Sequence, residues 1–180
     1  MRLVVTPTGE LAPNELAAIR ALCDIAWDEK GGEFTDQDWE AALGGVHVVL
    51  EEGGTVVAHG AAVPRMLELN GRPLRSGYVE AVATHPLLQR QGLGTRVMRE
   101  VTALVGRDFE LGALSSAVVG FYELFGWQVW PGSTGVRTPH GLQLTPDEDG
   151  SILVRFADGP RPLAPGGLLV CDGSRPGDVW

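Results

Sequence analysis

The segment Gln89–Thr95, QRQGLGT, joins a run rich in β-branched residues to a helical pattern, and this handover limits what can be built around it. From about Gly92 to Val105 the apolar residues Leu93, Val97, Val101, Leu104 and Val105 recur on one helical face, with Gly106 the expected C-cap. Gly92 and Gly94 let the backbone approach a ligand, while the first N–H groups of a helix point outward without acceptors of their own. Such a turn suits pyrophosphate. A dinucleotide-binding β-α-β reading fails, because Val97 occupies the third glycine position and antiparallel hairpins precede the turn. A P-loop reading fails for want of Gly-Lys-Ser/Thr.

Upstream, residues 2–6 read as a strand, Asn14 to Trp27 as an amphipathic helix capped by Asn14, and Thr35 to Leu43 as a shorter helix. Thr35 followed by Asp38 resembles a capping box with a short acid, and Gly44 is the stop. Val46 to Glu51, Thr55 to Val63 with Met66 to Leu69, and Arg72 to Thr84 then form a three-stranded antiparallel meander. Its turns fall at Gly53-Gly54 and Asn70-Gly71. Pro64 and Pro73 are expected at a bend, a bulge or an edge. Downstream, Phe109 to Leu114 is a strand, 117–125 a short helix ended by Gly126, and Trp127 to Trp130 the start of another strand. Pro131 to Gly150 reads as one long loop, and Ser151 to Ala157 and Leu168 to Cys171 as the last strands. The expectation is a single domain, 1–180, of the α/β (α+β) class, with a mixed, mostly antiparallel sheet flanked by helices and one strand-helix-strand crossover.

Charge narrows the function. Lys plus Arg total 14 against 23 Asp plus Glu, a formal net charge of −9, which disfavours nucleic acid as a partner and favours a cationic one. Asp24, Asp28, Glu29, Glu33, Asp36, Asp38 and Glu40 form an acidic stretch in which Lys30 is the sole cation, whereas Arg65 to Arg107 is arginine-rich. This pattern accommodates an anionic cofactor at the middle of the chain and a cationic substrate at its N-terminal part, or simply solvated helix faces. No signal peptide or membrane span is read, and Cys23 and Cys171 lack metal-ligand or disulfide spacing, so a cytoplasmic protein is expected.

Glu80 is the only acid between Glu68 and Glu100, near the end of the strand that precedes the turn, where a general base would stand. A solvated salt-bridge role is the alternative. The backbone N–H groups of Val82 and Thr84 would polarise a carbonyl if the strand splays there. His47, His59, His85 and His140 show no ligand spacing, and His47 and His59 read as satisfied structural histidines. Ser115-Ser116 lacks the Gly-x-Ser-x-Gly setting of a hydrolase nucleophile. No metal is implied.

The spacing Gln89-x-x-Gly92-x-Gly94 resembles the Q/R-x-x-G-x-G/A signature of the Gcn5-related N-acetyltransferases (GNAT), and the order of elements fits that superfamily along nearly the whole chain. Five blocks, GGEFTDQDWEAALGGVH (31–47), GYVEAVAT (77–84), LGALSS (111–116), LTPDEDG (144–150) and CDGSRPGDVW (171–180), are similar to the aminoglycoside 2'-N-acetyltransferases. The resemblance implies acetyl-CoA as co-substrate, held by Val82, Ala83, Thr84, Gln89, Arg90, Gln91, Gly92, Leu93, Gly94 and Thr95. It implies that Glu80 also binds the substrate amine, with a water relaying the proton. It puts Tyr122 near the coenzyme sulfur as proton donor, although Phe121, Phe125 and Trp127 beside it also fit a packing role. Substrate contacts would come from Glu33, Asp38, Glu80, Ala81, Ser115, Glu148, Asp178 and the terminal Trp180. Glu33 and Glu148 stand where the family has aspartate, which keeps the charge and changes the reach. Trp39 and Trp180 would cover sugar faces or pack in the core. A homodimer is also implied. The rival readings are the same fold acting on a polyamine, a peptide N-terminus or a divergent amino-sugar antibiotic, and a non-catalytic acyl-CoA- or drug-binding module.

Overall fold

Left-handed turn residues set the meander. In a computed structural model that describes residues 1–29, 31–163, 165–173 and 179–180, Gly53 and Gly54 take φ of 58° and 84°, and Asn70 and Gly71 take 52° and 81°. Two consecutive positive values are what the tightest hairpins need, and Asn and Gly adopt them at least cost. The elements run β1 (Arg2–Pro7), α1 (Pro13–Asp28), α2 (Asp36–Ala42), β2 (Val46–Glu52), β3 (Thr55–Leu69), β4 (Arg72–Thr84) and α3 (Leu93–Asp108). They continue β5 (Leu111–Ser115), α4 (Val119–Glu123), β6 (Gln128–Val129), β7 (Ser133–Thr138), β8 (Gly141–Leu144), β9 (Ile152–Phe156) and β10 (Leu168–Asp172).

The described residues gather into two compact units, Met1–Val63 with Val79–Val101, and Pro64–Tyr78 with Thr102–Trp180. In the first, β2 pairs antiparallel with β1 and β3, and β4 follows β3 in strand order. The β2–β3 ladder slips by one residue at Leu50/Glu51: Glu51 faces Val56, but Leu50 faces Ala58. Val57 is the extra residue, and its carbonyl accepts the His85 N–H at 2.9 Å. Ile19, Leu22, Cys23 and Ala26 of α1 pack with Phe34 against Val49, Val56, Ala81 and Ala83. Each large side chain so buried contributes roughly 1.5–3 kcal/mol.

In the second unit the strand order is β6-β9-β5-β4-β3-β10-β7-β8, with β4 parallel to β5 over Ser76–Tyr78 and β10 parallel to β7. Its core joins Leu67, Tyr78, Leu111, Trp130, Ile152, Phe156, Leu169 and Trp180. Gly112 lies where Trp127 presses on the sheet: a Cβ there would meet Trp127 Cη2 and Val105 Cγ1 at 2.6 Å.

Four sequence expectations change. The first helix is capped by Ala12, not Asn14; Pro13 supplies the preset φ of a first helical residue, and Glu15 Oε2 accepts the Ala12 N–H at 2.8 Å. Gly106 does not cap α3, which continues to Asp108 with Phe109 N–H bonded to Val105 O at 3.1 Å. The stretch Pro131 to Gly150 is not one loop. It holds the β7–β8 hairpin and a 3-10 turn at Pro146–Glu148, tied together by Asp149, whose Oδ1 accepts from Thr134 N–H and Oγ1 at 2.8 Å each. The pairing of β7 with β10 also adds a second parallel pair to the single crossover expected. Pro64 and Pro73 lie inside strands; Pro64 falls between the last β2 partner, Ala62, and the first β10 partner, Leu67, so it removes no bond from either ladder.

Candidate functional site

The glycine-bearing turn is built as its residues require. After the 3-10 turn at Pro86–Leu88, Arg90 takes φ 61° and Gly92 φ 80°, and the first helical bond of α3 runs from Arg96 N–H to Gly92 O at 3.1 Å. The N–H groups ahead of Arg96 have no intrahelical acceptor, and α3 carries no acid in its first turn. Gln89, Arg90, Gln91 and Gly92 are exposed, Gly94 and Thr95 half-buried, and Leu93 buried as the anchor of the helix. A Cβ on Gly92 would meet no atom within 4 Å, so its glycine answers to backbone conformation, and the space beside it is open. Open space beside helix-start N–H groups makes this turn a candidate cradle for phosphate groups.

Ahead of that turn, β4 ends in Glu80-Ala81-Val82-Ala83-Thr84, with Glu80, Val82 and Thr84 half-buried and Ala81 and Ala83 buried. Ala81 takes φ 51° inside the strand. For a residue with a Cβ this costs roughly 1–2 kcal/mol, and it breaks the regular pleat between Glu80 and Val82. The break falls just before Val82 and Thr84, the residues whose N–H groups were expected to face a carbonyl.

Sequence reasoning passed over what holds Ala81. The Ala81 carbonyl accepts from His59 Nδ1 at 2.8 Å; His59 Nε2 lies 2.9 Å from His47 Nδ1, and His47 Nε2 2.8 Å from Thr8 Oγ1. Both histidines are satisfied and 0% exposed, as expected of structural residues, and burial pushes their pKa down, to about 4 for His47 and about 3 for His59. Two histidines in adjacent predicted strands were the available signal.

Among the acids of the first unit, Glu33 is exposed and Asp38 is committed to the α2 cap. Asp38 Oδ2 accepts from Thr35 N–H and Thr35 Oγ1 at 2.8 Å each, while Asp38 N–H donates to Thr35 Oγ1 at 3.1 Å. The acidic stretch is also partly neutralised from outside, because Arg20 bonds Asp24 at 2.8 Å, Asp36 at 3.1 Å and the Phe34 carbonyl at 3.0 Å. Trp39 packs against the α1 core.

In the second unit Ser115 ends β5, exposed, opposite Ile152. Tyr122 is buried in α4 with Phe121 edge-on at 5.1 Å; burial raises its pKa, against a weaker opposing effect of a hydrogen bond with Ser116, so the phenol keeps its proton. Glu148 Oε2 accepts from Ser151 Oγ at 3.0 Å. Trp180 is a core residue, its Nε1–H bonded to Thr145 Oγ1 at 3.1 Å, while Arg65 Nη2 bonds the Val179 carbonyl at 2.8 Å. Asp178 lies outside the described residues. Among the described residues no group of three or more His, Cys, Asp or Glu is gathered to hold a metal ion, and no helix is long and apolar enough to cross a membrane.

The acetyltransferase (GNAT) domain family matches residues 10–130 of the chain. The sequence is 40% identical over 153 residues to the aminoglycoside 2'-N-acetyltransferase of Mycolicibacterium fortuitum, covering 83% of this chain and 78% of that protein. Among solved structures, the fold is similar to a GNAT family N-acetyltransferase of Escherichia coli in complex with CoA, with TM-score 0.64, 15% identity, and 95% and 90% of the two chains covered. It is similar also to a GNAT family acetyltransferase from Brucella melitensis in complex with acetyl-CoA, with TM-score 0.58, 20% identity, and 93% and 94% covered. Some longer chains share the fold, and this chain spans about a third of their length.

Proposed function

The chain belongs to the GNAT family of acetyltransferases, and from that premise we propose that it moves the acetyl group of acetyl-CoA onto the 2'-amino group of an aminoglycoside, inactivating the drug. The observation that carries the reading is the succession on one segment of Glu80, left-handed Ala81 and the cradle formed by Arg90, Gly92 and the start of α3. An amine arrives as an ammonium ion and cannot attack until it loses a proton. Glu80 takes that proton, directly or through a water, and its charge draws the cation in. The Val82 N–H meets the thioester oxygen as it becomes an oxyanion, and Thr84 N–H pairs with the pantetheine arm. The turn from Gln89 to Thr95, with Arg90, Gln91 and Leu93, holds the pyrophosphate. Tyr122, kept protonated by burial, donates to the departing thiolate.

Ammonium and hydroxyl groups of the drug would be met by Glu33, the free oxygen of Asp38, Ala81, Ser115, Glu148, Asp178 and Trp180, a largely acidic set suited to a polycation. The indole of Trp180 is spent on the core and is not open to cover a sugar face. The same reading makes the enzyme a cytoplasmic homodimer without a metal or nucleic-acid partner.

The test is release of free thiol from acetyl-CoA over a panel of aminoglycosides with and without a 2'-amino group, polyamines and peptide N-termini, with the acetylated nitrogen located by mass spectrometry. Turnover confined to 2'-amino drugs, with a rate loss of about 10² to 10⁴ in Glu80→Gln, is expected. Preference for another amine overturns the substrate, and wild-type rates in Glu80→Gln overturn the base.

A further inference from the structure

The hydrogen-bonded chain Thr8, His47, His59, Ala81 has a single direction. A carbonyl oxygen only accepts, so His59 Nδ1 carries the hydrogen in its 2.8 Å bond to Ala81 O. With both buried rings neutral, His59 Nε2 is then an acceptor, and the hydrogen between the rings belongs to His47 Nδ1. His47 Nε2 accepts in turn, from the Thr8 hydroxyl at 2.8 Å. Thr8 Oγ1 itself accepts the Gly44 N–H at 3.0 Å. Turning the Thr8 hydroxyl to Gly45 O, 3.1 Å away, would strip His47 Nε2 of its donor. Four donors thus point one way, across β2 and β3 toward β4.

The end of the chain matters more than its length. The Ala81 carbonyl and the Val82 N–H belong to one planar trans peptide and point in opposite directions, so fixing the oxygen fixes the N–H. That plane follows Ala81 at φ 51°, a conformation that needs an outside restraint to persist. A carbonyl that accepts from an imidazole N–H also polarises its amide and strengthens the donor on the other side.

We propose that Thr8, His47 and His59 are positioning residues that aim the Val82 N–H at the thioester oxygen. The inference rests on the acetyl-transfer reading above, in which that N–H stabilises the oxyanion. The relay moves no proton to or from substrate, because a backbone carbonyl does not take up a proton near neutrality and the chain stops there.

The first test is spectroscopic and needs no substrate. In protein labelled with ¹⁵N-histidine, His47 and His59 are expected as neutral Nδ1–H tautomers that persist from about pH 8 to about pH 5, since both rings resist protonation. An Nε2–H tautomer at either ring, or titration near neutrality, overturns the relay. The second test uses Thr8→Val, which removes the first donor and keeps the shape, with Thr8→Ser as rescue and His59→Gln as a second break. In folded Thr8→Val and His59→Gln, kcat should fall roughly tenfold or more, a share of the 10²–10³ that one oxyanion donor is worth, with both KM values within about twofold. The Val82 amide resonance should shift in the free protein, and Thr8→Ser should restore both. Unchanged kcat with only a lowered melting temperature makes the chain structural and sinks the proposal. A wild-type chain that acetylates no amine removes the oxyanion role and with it the proposal, leaving the tautomers to report on the hydrogen-bond chain alone.

Discussion

Lowering the pH from about 7.5 to about 5 should destabilise this protein by about 4 kcal/mol, and the source is the pair His47 and His59. Each ring is 0% exposed, and burial moves the folded pKa from the ordinary 6.5 to about 4 for His47 and about 3 for His59. Both folded values lie below the unfolded one, so the unfolded chain binds more protons than the native chain throughout this window. Stability is complete above about pH 6.5 and is lost as pH falls from there toward the folded values. At pH 5 an unfolded histidine has gained about 1.5 pKa units of proton binding, roughly 2 kcal/mol, that the native ring cannot match; two rings give about 4 kcal/mol. Against a typical unfolding free energy of about 5–15 kcal/mol this is a large share. Urea unfolding followed by circular dichroism at several pH values reads it directly, and the slope near pH 5.5 should correspond to uptake of about two protons on unfolding. His47→Gln or His59→Gln should lower stability at neutral pH yet halve that slope. A flat pH dependence between about 7.5 and 5, or an undiminished slope in both variants, refutes the burial of two neutral rings.

Three further outcomes are expected. Gly92→Val places a β-branched residue at φ 80° in open space, so the chain should fold while acetyl-CoA affinity falls by more than tenfold in calorimetry and drug binding to the free enzyme changes less. Gly112→Ala drives a methyl to 2.6 Å from Trp127 and Val105 in a strand paired on both sides, a destabilisation of about 1–3 kcal/mol that lowers the melting temperature by roughly 3–10 °C. Tyr122→Phe preserves the contact with Phe121 and should lower kcat with little change in either KM; loss of stability at unchanged kcat would leave the ring a packing role.

What could be read in the sequence was what short-range chemistry decides. The Thr35–Asp38 capping box, the Asn70-Gly71 hairpin and the turn opening α3 each depend on a few adjacent residues, and each stands where expected. Ala12 took the cap of α1 because Pro13 can begin a helix and Glu15 can bond the Ala12 N–H, which displaces the stronger capping side chain of Asn14. The β7–β8 hairpin was hidden for a different reason. Its partner β10 lies thirty-five residues on in register, and its polar, glycine-containing strands become strands only through that pairing and the Asp149 bonds. Of the candidate site, the cradle and Glu80 were legible as residues. The bend at Ala81 and the buried chain beneath it were not, because an alanine in a strand gives no sign of a left-handed φ.

The one-residue slip in the β2–β3 ladder works as a parity switch. Continued without it, the pairing of Glu52 with Thr55 and Glu51 with Val56 would bring His47 opposite Gly60 and His59 opposite Val48, on opposite faces of the sheet. The inserted Val57 advances the count by one, so that His47 faces Ala61 and Val49 faces His59, and the two imidazoles share a side. The surplus carbonyl, meanwhile, is taken by His85 N–H at the approach to the candidate phosphate cradle. Deleting Val57 would thus leave two strands and their turn intact in composition while disconnecting Thr8 from Ala81 and loosening the entrance to the cradle. The peptide at the end of β4 is in this sense placed by counting along a neighbouring hairpin, and a homologue whose hairpin differs by one residue there would need another way to hold it.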